Sequence, residues 1–317
     1  METVKIGSFN IQKFSKNADH ERLKKLADII LSSGVDILAI QEVYAKVAID
    51  NLLKYMGMNW KGKWESPDSK SASAAEGYGF IWNEQNVVLS RNRRGKVFEP
   101  TIHNQYPHKE FGTLIRNPFY GRFTLKRDEM CELRLINTHI MFSKSKSVND
   151  SEDHEESTEG DISMRKKEFE VLASKILPKI SNKDYDKIWG EEDEICRKPY
   201  TILLGDYNLN LRSSGAKGAI LDDDLAFIIV HDERSEKQII TIQDQLSTLK
   251  KKNPETQKIE GYSNNFDHFT YDQTRPIETK SWVIDAPKDP KFFNGDFDEY
   301  KRLASDHLMI VMEISFT

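Results

Sequence analysis

Carboxylates, carboxamides and two imidazoles stand at the ends of apolar runs along this chain. Ser8-Phe9-Asn10 follows Val4-Lys5-Ile6, and Gln41-Glu42 follows Asp36-Ile37-Leu38-Ala39-Ile40. Asn137-Thr138-His139 follows Leu133-Arg134-Leu135-Ile136, and Asp206-Tyr207-Asn208 follows Thr201-Ile202-Leu203-Leu204-Gly205. Ser305-Asp306-His307 precedes Leu308-Met309-Ile310-Val311-Met312. A single Asp or Asn at a strand end means little. Repetition from residue 8 to residue 307 predicts strand ends converging on one polar site. Oxygen donors of this kind hold a hard divalent cation such as Mg²⁺, while His and Asp move protons, a combination suited to a phosphate ester.

The elements that must position these groups are legible from periodicity. Residues 4–11 read as a strand. His20 to Ser33 places Leu23, Leu26, Ala27, Ile30 and Leu31 at helical spacing, with Gly34 as C-cap. Val35–Ile40 reads as a buried strand and Ala45–Met56 as a second helix. The stretch 62–77, rich in small residues, reads as a loop. Strands are expected at 78–82, 87–89, 113–114 with 120–125, 132–137, 199–204, 266–271, 281–284 and 308–316. A helix is expected at 164–180 and partial helix over 220–250. The pattern predicts two sheets packed face to face with helices outside.

The bulk composition sets bounds. The chain has 317 residues, 38% hydrophobic and 31% charged, which fits a folded globular protein and one domain over 1–317. No apolar run approaches the ~20 residues of a membrane span, and no signal-like segment is seen at the N-terminus, so a cytoplasmic protein is expected. Cys131 and Cys196 make no metal-ligand spacing and read as free thiols. A net charge of −5 excludes a generally basic nucleic-acid binder but not a metal-dependent nuclease. Residues 143–161 carry seven acids and two lysines, so that segment's −5 equals the whole formal charge. It and residues 181–198 read as surface insertions. The acidic one is either a solvated loop or a dock for a regulatory protein.

Taken in order, Ser8-Phe9-Asn10-Ile11, Ile40-Gln41-Glu42-Val43, Thr138-His139, Gly205-Asp206-Tyr207-Asn208, Phe266-Asp267 and Ser305-Asp306-His307 resemble the endonuclease/exonuclease/phosphatase superfamily, and within it the deoxyribonuclease I branch. Each motif alone is weak, and their order over residues 4–316 is specific. The resemblance implies a four-layered α/β sandwich of two packed sheets flanked by helices, with the site at one end. It implies a metal site of Asn10 and Glu42, with Asp306 completing it or orienting a neighbour, and Mg²⁺ as cofactor, with Mn²⁺ or Ca²⁺ as alternatives. Asp206 would hold or activate the attacking water, and Asn208 would help bind phosphate; two-residue spacing points both side chains the same way on an extended chain. A calcium-loop reading of the same stretch fails because Leu211 and Lys217 occupy its Gly and Glu positions.

By the same resemblance Asp267 partners His307 and Glu76 partners His139, each carboxylate fixing the tautomer of its imidazole. Arg116 matches a phosphate-gripping arginine, suited by its two-pronged guanidinium, although Asn117 stands where the family often has an acid. Tyr44 follows Gln41-Glu42-Val43 where the pancreatic enzyme has a groove-reading Arg. It reads either as a substrate contact or as plain surface packing. Arg165 reads as a phosphate contact or as half of a structural ion pair. The expected activity is Mg²⁺-dependent DNA phosphodiester hydrolysis by in-line attack of water. A phosphoesterase of the same fold acting on sphingomyelin or inositol phosphates, and a non-catalytic binding module, remain alternatives. A serine hydrolase is disfavoured, because Ser305 and His307 lack a Gly-x-Ser-x-Gly elbow.

Overall fold

The computed structural model describes residues 2–67, 76–92, 94–103, 114–142, 162–182, 198–210, 239–241, 245–272 and 277–316. In chain order these form β1 (Glu2–Phe14), α1 (His20–Ser33), β2 (Ile37–Val43), α2 (Lys46–Met56), β3 (Trp60–Glu65), β4 (Gly77–Asn83), β5 (Val87–Leu89), β6 (Thr101–Ile102), β7 (Phe119–Leu125) and β8 (Cys131–His139). Then come α3 (Ile162–Val171), which runs through a π-helical turn at Leu172–Ile176 into α4 (Leu177–Ser181), and β9 (Lys198–Asp206), β10 (Ile239–Thr241), β11 (Asp267–Asp272), β12 (Ile277–Val283), α5 (Phe297–Leu303) and β13 (Ile310–Phe316). No helix among the described residues is long and apolar enough to cross a membrane.

The first sheet has the order β12-β13-β1-β2-β4-β3, and the second β10-β11-β9-β8-β7-β5, with β6 added on β7. The pairs β1/β2 and β8/β9 are parallel. Strand alternation sorts the side chains into layers. Val4 and Ile6 of β1, Ile37 and Ala39 of β2, Leu133 and Leu135 of β8, and Ile202 and Leu204 of β9 face the other sheet and form the central core. Phe9, Ile11, Leu38 and Ile40 face outward and are covered by α1, α2 and α5. Ile136 and Leu203 face out of the second sheet onto Phe169, Leu172, Ala173 and Ile176 of the α3–α4 helix. Helix, sheet, sheet, helix is the four-layered sandwich implied by the resemblance.

The same alternation delivers the site. Continuing each inward-facing series by one or two alternate positions replaces apolar side chains with polar ones: Ser8 and Asn10, then Gln41, Asn137 and His139, and Asp206. Register does the rest, since His139 pairs with Asp206 across β8/β9 and Asp206 with Asp267 across β9/β11. Asn10 pairs with Gln41 across β1/β2. The sheets are tied together here by buried carboxamides. Gln41 Nε2 donates to Asn137 Oδ1 at 2.7 Å, and Asn137 Nδ2 donates to the carbonyls of Ile40 and Gly79 at 3.1 Å each.

Several expectations need correction. Residues 62–65 form part of β3 rather than a loop. Trp60, Gly62 and Trp64 alternate with Lys61, Lys63 and Glu65, but Gly62 and the small residues after it hid the pattern. Gly62 is required by packing, because a Cβ there would lie 2.7 Å from Ile49 of α2. Residues 239–241 are strand, and 245–250 contain no helix; 220–238 lie outside the described residues. Leu114 is not in a strand. The short helix α5 was not foreseen. Cys131 is buried in β8, whereas Cys196, both expected insertions apart from their end residues (181, 182 and 198), and Leu211 and Lys217 fall outside the description.

Candidate active site

Asp206 is the centre of the site. It is 1% exposed at the end of β9, where its Oδ1 accepts the Asn208 N–H at 2.9 Å and its Oδ2 accepts Asn10 Nδ2 at 3.0 Å. The Nε2 atoms of His139 and His307 each lie 3.5 Å from that same Oδ2. Each imidazole is backed on its other side by a carboxylate. His139 Nδ1 meets Glu76 Oε1 at 2.5 Å, and His307 Nδ1 meets Asp267 Oδ2 at 2.8 Å. The outer carboxylates fix both rings, and both Nε2 atoms are thereby turned toward Asp206.

The charges follow from this nesting. Burial pulls the His139 imidazole down, but the Glu76 carboxylate, by charge and hydrogen bond, and Asp206 outweigh it, so His139 titrates above its ordinary value. Burial likewise opposes the charging of His307, and Asp267, Asp206 and Asp306 overcome it, holding the ring well above its ordinary 6.5. Burial pushes Glu76 up, while His139, Arg116 and Tyr44 pull harder and leave it below the usual carboxylate range.

The sign for stability follows. A raised imidazole stabilises the fold fully below its unfolded value and loses that contribution as pH rises through the folded value. In metal-free buffer the melting temperature is therefore expected to decline alkaline of about 6.5, and His307→Gln is expected to flatten that decline. Thermal melts at stepped pH check it, and an unchanged slope in the variant would remove His307 as its source.

Arg116 grips Glu76 with both prongs, Nη1 to Oε1 at 2.9 Å and Nη2 to Oε2 at 2.8 Å, and remains 21% exposed. Its Nη1 also lies 3.0 Å from His139 Nδ1. Tyr44 joins the group through a hydrogen bond to Glu76. Burial, then the charges of Glu76 and Glu42, push its hydroxyl up to about 12, so the phenol is neutral and the residue belongs to the Glu76 cluster rather than to plain surface packing. Asn208 adopts a positive φ of 51° and donates Nδ2 to the Ile140 carbonyl at 2.8 Å.

On the opposite wall, Asn10 Nδ2 also donates to Glu42 Oε1 at 3.1 Å, and Glu42 Oε2 accepts the Lys13 N–H at 2.9 Å. Glu42 and Lys13 both have positive φ, 58° and 52°. Two L-residues held in a disfavoured region at one spot mark a constrained site. Asn10 Oδ1 is buried with no hydrogen-bond partner. A buried carboxamide oxygen beside a carboxylate is the donor set a hard cation takes, so Asn10 and Glu42 fit Mg²⁺. Asp206, Asp267 and His307 also place three ligand atoms within 4.8 Å of one another. Asp306 lies at the rim, accepting Gln12 Nε2 at 2.5 Å and facing Lys301 at 3.8 Å.

The sequence from residue 7 to residue 286 matches the Endonuclease/Exonuclease/phosphatase family. The chain belongs to this family. Endonuclease/exonuclease/phosphatase enzymes hydrolyse phosphoester bonds and generally depend on a divalent metal. The fold is shared with an endonuclease/exonuclease/phosphatase from Bacteroides vulgatus (13% identity, 100% of each chain covered, TM-score 0.58). It is shared with D. rerio TDP2 complexed with single strand DNA product (15% identity, 99% of this chain and 100% of that one, TM-score 0.56). It is shared too with the Bacteroides thetaiotaomicron mannosyl-6-phosphatase Bt3783 (12% identity, 99% and 100%, TM-score 0.56). No curated protein matches the sequence.

Several residues of this endonuclease/exonuclease/phosphatase site carried no role in the sequence reading. Ser247 donates to Asp267 Oδ2 at 2.7 Å and accepts the N–H groups of Phe266 and Asp267. Ser305, present in its motif without a task, donates to the Asn10 carbonyl at 2.6 Å and accepts the Gln12 and His307 N–H groups. Both orient catalytic candidates from loops, where no periodicity marks them. Gln41 and Asn137 sat in plain view inside the motifs, and only the second sheet explains them.

Proposed function

We propose that this chain is a divalent-metal-dependent phosphodiesterase that hydrolyses DNA in the cytoplasm. The observation that carries the reading is the pair of carboxylate-backed imidazoles converging at 3.5 Å on one buried aspartate oxygen. Asn10 and Glu42 would hold the Mg²⁺, and when bound the ion supplies Lewis-acid polarisation of a phosphoryl oxygen. Asp206 accepts a proton from the attacking water and aims it in line with the scissile P–O bond. His139 and His307, cationic because of their carboxylate partners, face the growing negative charge of the pentavalent phosphorus and donate a proton to the departing oxygen. Asn208 and the exposed edge of Arg116 orient the phosphate, and Tyr44 lines the rim beside Glu76.

DNA as substrate is supported by the likeness to the deoxyribonuclease I branch and by the shared fold with the DNA-product complex of TDP2. The equal likeness to a mannosyl-6-phosphatase favours a second reading, a phosphomonoesterase, and the same core would also suit sphingomyelin or inositol phosphates. The test is cleavage of supercoiled plasmid and of a labelled single strand, with Mg²⁺ and with chelator, beside Asn10→Ala. Mg²⁺-dependent cleavage is expected, with Asn10→Ala requiring about tenfold more Mg²⁺ for half-maximal rate. A wild type that leaves DNA intact but dephosphorylates mannose 6-phosphate or an inositol phosphate, or hydrolyses sphingomyelin to ceramide and phosphocholine, would overturn DNA as the substrate.

A further inference from the structure

Glu168 lies on α3, outside every motif that carries the family likeness. It is 2% exposed. Its carboxylate accepts the Ile115 N–H in a close hydrogen bond through Oε1 and also the Met141 N–H. Ile115 immediately precedes Arg116, and Met141 lies two residues beyond His139. Neither residue is in a strand, so neither N–H has a ladder partner in a sheet. One turn earlier on the same helix, Arg165 donates to the Asn208 carbonyl and packs its guanidinium 4.8 Å from the Phe142 ring. Residues three apart share a helix face. One edge of α3 therefore holds the Arg116 segment, the segment after His139 and the Asn208 turn.

We propose that Glu168 is a positioning residue that sets Arg116 and His139 against their shared partner Glu76. This rests on the reading of the site as a phosphoesterase centre. A buried carboxylate is an expensive way to fill a helix–sheet boundary, and an apolar residue would pack there at lower cost. It is accounted for by two backbone N–H groups of half-buried residues that no sheet ladder supplies with an acceptor. Burial pushes Glu168 up to about 7, against the two N–H groups and the charges of Arg116 and His139 that favour its anion. What the loops need is thus an acceptor oxygen at this place more than a negative charge. A glutamine can supply that oxygen, and a methionine of similar length cannot.

The experiment compares Glu168→Gln with Glu168→Met, reading kcat and KM on a labelled DNA strand together with amide hydrogen exchange at Ile115 and Met141 and the NMR shift of the Arg116 side chain. Glu168→Gln is expected to keep kcat within about threefold and to keep both amides protected. Glu168→Met is expected to lose about 10-fold or more in kcat, the size a small displacement of a catalytic group produces. Its KM should change little, its melting transition should stay cooperative, both amides should exchange faster, and the Arg116 resonance should move. Equal loss in both variants would overturn the proposal, because charge rather than the acceptor would then be what matters. So would freely exchanging amides with unchanged kcat, or unchanged protection in Glu168→Met. If the wild type does not cleave DNA, the substrate reading fails on its own, and exchange and the Arg116 resonance still decide whether Glu168 holds the two loops.

Discussion

Asp206→Asn is expected to cut the proposed DNA cleavage by about 10³-fold or more, with the protein still folded. The carboxylate has two separate tasks. Oδ1 caps the Asn208 N–H, and an asparagine oxygen can take this over. Oδ2 receives Asn10 Nδ2 and faces both imidazole Nε2 atoms. An amide NH₂ placed there presents a donor to three donors and cannot accept a proton from water. The loss of the anion also removes one of the charges that hold His139 and His307 above their ordinary values, so both rings are expected to titrate lower. Single-turnover cleavage and an NMR titration of the two imidazoles check the two parts. Activity within tenfold of wild type would take Asp206 out of water activation.

Gly205→Ala is expected to destabilise the fold by more than about 4 kcal/mol, or to prevent folding. Gly205 has a φ of 144°, and a Cβ at this position would lie 1.9 Å from the Thr138 carbonyl oxygen and 2.9 Å from its carbon. Those atoms are backbone in β8, the parallel neighbour of β9, and cannot retreat as a side-chain tip can. Any separation of the two strands would carry His139 and Asp206 apart, because each directly follows one of the crowded residues. Gly57→Ala is the control. Its φ of 96° imposes strain, but nothing lies within 4 Å of an added Cβ, and it is expected to cost only about 1–3 kcal/mol. Chemical denaturation of both variants separates close approach from backbone conformation. Equal costs would show that contact with Thr138 is not what demands glycine.

The sequence alone determined much of the scaffold. Helix α1 runs over His20–Ser33 as its periodicity predicts, and Gly34 ends it in the left-handed conformation with its N–H on the Leu31 carbonyl. The central strands carry their polar residues at the ends where the motifs placed them, because burial of alternate side chains is a local pattern that a single strand records. The ordered motifs were enough to name the family. The elements it missed, β3, β6, β10 and α5, are short or lie where Gly and charged residues blur the period, and their placement depends on what they pack against.

Only the tertiary structure decided how the polar ends meet. Nothing local in β1 says that Asn10 Nδ2 will reach Asp206 Oδ2, which is 196 residues away, or that two imidazoles 168 positions apart will share that oxygen. Arg116, expected to grip phosphate, is held by both prongs on Glu76, and Glu168 carries no motif at all. Sequence periodicity records which face of a strand avoids water. The partner across the sandwich is set by the register of two sheets and by loops whose hydrogen bonds exist only once those sheets have packed.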